Sequence, residues 1–126
     1  MDVKLLQVLP TANIKDVMNL SGQTNGIPKA VEADIINYTV PLGKKLYFRA
    51  YASGGDADGL FKLKINGAVI NTMRNSGAMR SVQVSIWKDG CELPISAGGI
   101  VRLTVEHSEK SLMSFEGNIL GFMVNM

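Results

Sequence analysis

From about Val31 onward the apolar and polar residues alternate with a period of two. In Phe61-Lys62-Leu63-Lys64-Ile65 the apolar side chains fall on one face and both lysines on the other. Val82, Val84 and Ile86 alternate with Ser81, Gln83, Ser85 and Trp87, and Val101, Leu103 and Val105 alternate with Arg102, Thr104 and Glu106. Successive side chains of a strand point to opposite faces, so each run predicts a strand with one buried row and one wet row. Helical spacing fits none of them as well. The pattern predicts strands near residues 31–40, 45–52, 60–66, 68–74, 79–87, 91–95, 100–107 and 116–125.

The punctuation agrees with this reading. Asn66-Gly67 lies between two apolar runs, and a type I′ hairpin turn needs positive φ at both central residues. Lys88-Asp89-Gly90, Pro41-Leu42-Gly43 and the stretch from Pro94 to Gly99 mark further reversals. About eight short antiparallel strands with some longer crossovers predict an all-β sandwich of jelly-roll type over residues 31–126. Residues 1–30 read differently. Val3, Leu5, Leu6, Val8 and Leu9 form an apolar segment that stops at Pro10, and residues 11–28 are polar with no clear period of two. Ile14 to Met18 offers one helical turn at most. Two readings stay open for this region: an extra strand completing the sandwich, or an arm that lies on a partner.

Composition narrows the chemistry. The 126 residues are 46% hydrophobic and 19% charged, a globular balance in a chain long enough to bury about two-thirds of its surface. No apolar run is long enough to span a bilayer, and the start has no sustained apolar run of a secretion signal, so neither is expected. Cys91 is the single cysteine and His107 the single histidine. That leaves no internal disulfide and no multi-thiolate or multi-imidazole metal set. No cofactor is expected.

Net charge is +2 but unevenly spread: residues 1–43 carry −1, residues 44–88 carry +6 and residues 89–126 carry −3. The basic middle alternates with apolar residues, unlike the stripe of a nucleic-acid binder. It is set to pair with the acidic end, within the fold or between subunits.

Candidate chemistry is sparse. Asp56-Ala57-Asp58-Gly59 has the look of a calcium loop, but aligning Gly59 with the loop glycine puts Gly54 and Ile65 where acidic ligands belong. Ser53-Gly54-Gly55-Asp56 reads instead as a mobile polar loop between strands. His107 continues the inward row of Val101, Leu103 and Val105 as a hydrogen-bonded structural residue. Glu106, Glu109 and Glu116 show no paired spacing for general acid–base work. Cys91 has the setting of a structural thiol.

The outward aromatics are more informative, with two readings open: contact with another subunit, or cover by a long loop. With Phe48 inward, strict alternation puts Tyr47 and Tyr51 outside beside Arg49, and Trp87 outside at the end of its strand. Tyr, Trp and Arg are enriched at protein interfaces because they bury large area and keep a polar tip satisfied. Met113, Met123 and Met126 add adaptable apolar surface.

The segment from Leu93-Pro94-Ile95 through Gly98-Gly99-Ile100 to Val105 resembles the Pro–Gly turn and buried strand of tumour-necrosis-factor-like jelly rolls. The segment Phe115-Glu116-Gly117-Asn118-Ile119-Leu120 is similar to the Phe-x-Gly-x-hydrophobic pattern of their last strand. These modules in turn resemble the small jelly-roll accessory proteins of tailed bacteriophages, a likeness that covers about the last 85 residues. It implies a homotrimeric, non-enzymatic virion protein: a capsid decoration or cement protein that binds the head, or else a receptor- or carbohydrate-binding module of a tail or fibre. The partners implied are further copies of the chain and a major capsid or other virion protein, with no nucleic acid and no membrane. The expected contact residues are Val3, Leu5, Leu6, Val8 and Leu9, with Tyr47, Arg49, Tyr51 and Trp87.

Overall fold

The alternating runs become strands that pair end against end. The computed structural model describes residues 14–75, 81–85 and 93–125, with side chains over 17–75 and 93–125. In chain order the strands are β1 (Ile14–Ile27), β2 (Ala33–Thr39), β3 (Lys44–Gly55), β4 (Gly59–Ile65), β5 (Ala68–Arg74), β6 (Ser81–Ser85), β7 (Leu93–Ile95), β8 (Ile100–His107) and β9 (Met113–Asn125). No helix forms among the described residues.

One sheet runs β1-β9-β3-β6, with the short β7 also on β3; the other runs β2-β8-β4-β5. On one edge of β3, β7 covers Leu46 to Phe48 and β6 covers Ala50 to Gly54. All pairs are antiparallel and nested: β1 with β9, β2 with β8, β3 with β6, β4 with β5. That nesting is a jelly roll, and the chain is an antiparallel β-sandwich of this type.

The core lies between the sheets. Phe48, Tyr51, Phe61, Leu63, Leu103, Val105, Phe115 and Ile119 are fully buried. Phe61 and Phe115 meet edge to face across the layers, with centroids 5.9 Å apart and planes at 79°, an orientation the ring quadrupoles favour. The turns form as their residues require: Asn66 and Gly67 have φ of 52° and 86°, and the Asn66 side chain accepts a hydrogen bond from Ile100 N at 2.9 Å. The hairpin tip is thereby tied to the start of β8.

Three local expectations are corrected. First, Ile14 to Met18 is not a helical turn; residues 14–27 form β1, which pairs along β9 from Val124 to Met113. Met18, Leu20, Gly22 and Thr24 make its inward row, while Val17, Asn19, Ser21 and Gln23 are exposed. Glycine and threonine hide the row from a hydrophobicity count. Gly22 is there because any Cβ would run into the Ile35 carbonyl oxygen and the Ile36 side chain. Second, Ser53-Gly54-Gly55 is not a mobile loop. It is the end of β3, still paired with Gly117, Glu116 and Phe115. Gly55 leaves the room that the Phe115 ring fills.

Third, Tyr51 is not outward. The β3–β9 register slips between Phe48 and Ala50, so Arg49 is an extra residue with no partner on β9. A bulge of one residue reverses which parity faces the core. Leu46 and Phe48 point in before it, Tyr51 and Ser53 after it. Gly121 admits the distortion, since a Cβ there would meet the Tyr47 carbonyl oxygen.

Replacing Gly22 with alanine forces β1 and β2 apart. It should cost about 1–3 kcal/mol, the usual penalty of overpacking, read as a lower midpoint in denaturant unfolding, whereas alanine at the exposed Ser21 should change little.

Candidate functional site

The outer face of the β1-β9-β3 sheet carries an apolar row at one end. Val17 pairs with Phe122, Phe122 with Tyr47, and Tyr47 with Pro94, so four strands place one residue each on a single line. Val17 is 84% exposed. The Tyr47 and Phe122 rings stack at 5.3 Å and 18°, and Lys45 Nζ stands 5.6 Å from the Tyr47 ring centre. Neighbours thus engage Tyr47 through both its ring and its strand pairing. Alternation hints at Val17, Phe122 and Pro94 only once the partner register is known.

Further along β9 the same face turns polar. Ser21, Gln23, Glu116 and Asn118 surround a shallow trough of about 530 Å³ that is also lined by Gly22, Ala52, Gly54 and Gly117. Asn118 donates to Asn19 Oδ1 at 2.9 Å and Gln23 to Asn25 Oδ1 at 3.0 Å.

Tyr51 is removed from any site by its burial: it is 0% exposed, and its hydroxyl donates to Asn71 Oδ1 at 2.6 Å. Arg49 is half-buried at the bulge. Val3, Leu5, Leu6, Val8, Leu9, Trp87 and Cys91 lie outside the described residues.

Several ionisable groups are engaged in holding the fold together. On the outer face of the other sheet, Lys64 Nζ meets Glu32 Oε2 at 2.7 Å, where the Thr104 hydroxyl also donates at 2.6 Å. Arg102 donates twice to Asp34 Oδ1, at 2.7 and 3.0 Å, and Lys62 lies 3.7 Å from Glu106. Of these three pairs, Lys62 with Glu106 joins the basic middle to the acidic end, while Glu32 and Asp34 come from the first third of the chain. The Lys64 hydrogen bond, then that of Thr104, holds the Glu32 carboxyl below its ordinary value of 4.5, against a smaller opposing effect of burial.

His107 points inward, as alternation predicts. Its Nε2 lies 2.6 Å from Ile27 O, which can only accept, so Nε2 carries the proton; Nδ1 accepts from Glu109 N at 3.0 Å. Both ring nitrogens are used in fastening the end of β1 and the β8–β9 turn. Glu106 and Glu116 stand on the outer faces of opposite sheets, so they share no cleft. Asp56 exchanges hydrogen bonds with Ser114 at 3.0 and 3.3 Å. The buried Asn75 clamps the same loop, accepting from Gly59 N at 2.7 Å and donating to Ala57 O at 3.1 Å. Among the described residues no three His, Cys, Asp or Glu side chains gather as a metal set.

No family model matches the chain, and no curated protein matches it. Among solved structures it is similar to a chain of the structure of infectious bursal disease virus, Gt strain. The TM-score is 0.38 and the identity 10%, over 90% of this chain and 32% of that one. The chain therefore spans about a third of that neighbour's length, and a likeness this loose carries no argument.

Two outcomes follow from the ionisable groups. Burial pushes the Tyr51 phenol up to about 12, above the ~10 of an unfolded tyrosine. Its contribution is complete below pH ~10 and is lost as pH rises toward 12, at a slope of about 1.4 kcal/mol per pH unit. Tyr51→Phe should lose about 1 kcal/mol near neutrality and remove that alkaline slope, measured by urea unfolding across pH. Glu32 has the opposite sign: its lowered pKa stabilises the fold above the ordinary carboxylate range, and this is lost as pH falls. Glu32→Gln should lower stability at pH 7 and flatten the acid side of the same curve.

Proposed function

We propose that the chain is a virion structural protein that binds the outside of a tailed-phage head, as a capsid decoration or cement protein, and works by adhesion rather than turnover. The observation that carries this reading is the apolar row of Val17, Phe122, Tyr47 and Pro94 across four strands, ending in a valine that is almost wholly exposed. Aligned apolar side chains on the outer face of a sandwich, set beside a polar trough, suit burial against another protein. The jelly roll and the structural use of His107, Glu32, Asp34 and Glu106 support the same reading. Several copies joined as a homotrimer would gain avidity from tethering. Binding only the assembled shell would stabilise that state by mass action.

The sugar-platform alternative weakens in its residues: Tyr51 is inside, and Tyr47 is stacked on Phe122 with Lys45 over its ring.

The test uses heads of the encoding phage prepared without this chain. Wild-type protein should bind them and raise their melting temperature in calorimetry, and Val17→Asp should weaken binding at least tenfold while leaving the protein's own melting unchanged. Unaltered head melting at saturating protein would contradict the proposal.

A further inference from the structure

The two ends of the sandwich differ. One end gathers the turn Pro41-Leu42-Gly43, the hairpin Asn66-Gly67 and the turn Ser96 to Gly99, held together by Val40 N to Gly99 O at 2.9 Å, Gly98 N to Val40 O at 2.8 Å and Asn66 N to Ile100 O at 2.9 Å. The opposite end carries the connections at residues 28–32 and 108–112, joined by Ala30 N to His107 O at 2.8 Å.

Exposed aliphatic side chains concentrate on the first end. Among the described residues Leu42, Val69, Ile70 and Ile100 are exposed there, Leu42 at 88%, against Val31 and Leu112 at the other. Val69 and Ile70 sit just past the hairpin, where a bulge leaves Ile70 without a partner on β4. Between the hairpin and the turn after β7 opens a cleft of about 410 Å³, lined by Ile65, Asn66 and residues 94–99.

Charge also favours this end. Lys44 and Lys45 stand on its rim; Lys44 donates to Asn125 Oδ1 at 3.4 Å, and neither makes an ion pair among the described residues. The opposite end mixes Lys29 and Lys110 with Asp58 and Glu109. Strand β1 starts at this lysine-rimmed end too, with Ile14 opposite Val124.

We infer that this turn-bearing end is the one that meets the shell, and that its occupant is an apolar patch of a shell protein rimmed by carboxylates. The inference rests on the shell-binding reading and adds an orientation to it. Leu42, Ile100, Val69 and Ile70 supply the buried contact, and Lys44 and Lys45 face the acidic rim.

Hydrogen exchange on purified particles, compared with free protein, reads the orientation directly. Amides of residues 42–45, 66–70 and 96–100 should slow at least tenfold on the particle, with 28–32 and 108–112 unchanged. Slowing confined to the latter two segments overturns the orientation and leaves shell binding standing. Absence of the chain from particles removes the shell-binding reading and this inference with it.

Variants test the occupant. Leu42→Ser and Lys44→Glu should each weaken binding to heads lacking the chain at least tenfold, while Leu112→Ser binds as wild type. Equal binding by Leu42→Ser overturns the inference. So does a Leu42→Ser loss that appears on anionic lipid vesicles, on a glycan array or in the protein's own oligomer mass but not on heads.

Discussion

The backbone ladder of β9 is the constraint from which the rest of the molecule follows. It is hydrogen-bonded to β1 on one side and β3 on the other over nearly its whole length. Because side chains alternate strictly, its register fixes which residues of three strands reach the core. Phe115, Ile119 and Met123 point in, while Glu116, Asn118 and Phe122 point out and make the outer face of the sheet. The one slip in that register, at Arg49, exchanges the two faces of β3 and places a tyrosine in the core. A surface with an apolar row at one end and a polar trough at the other is thus a consequence of pairing.

The opposite sheet settles the electrostatics. Lysines on β4 meet acids from the β1–β2 connection and β8, and Arg102 on β8 meets Asp34 on β2. Such half-exposed pairs add little stability singly. They gather three cations and three acids on one face, and Lys44 and Lys45 at one end of the sandwich stand outside that network.

Much of the fold was legible in the alternation. Strands β3, β4 and β8 form where apolar residues recur at every second position, and the Asn66-Gly67 hairpin forms because those two residues tolerate positive φ. What was not legible depends on distant contacts. The inward row of β1 includes Gly22 and Thr24, and Gly22 belongs there only because β2 passes close by. The inward turn of Tyr51 depends on a bulge that Gly121, seventy residues away, makes room for. The outer row of Val17, Phe122, Tyr47 and Pro94 exists only when β1, β9, β3 and β7 are laid side by side, so local sequence singles out Tyr47 alone. His107 was readable because parity within one strand decides it. Asn75 was not, since its partners are in a loop made by another part of the chain.

Three ion pairs tie the outer face of one sheet together, while Val17, Leu42 and Leu112 stand exposed, which is the basis of the adhesive role proposed above. The most direct measurement is an electron cryomicroscopy map of the purified particle with this chain located in it. The account places the sandwich on the outer surface of the assembled head, in copies related by local threefold symmetry. Density for the chain inside the head, or its absence from every component of the particle, would contradict it.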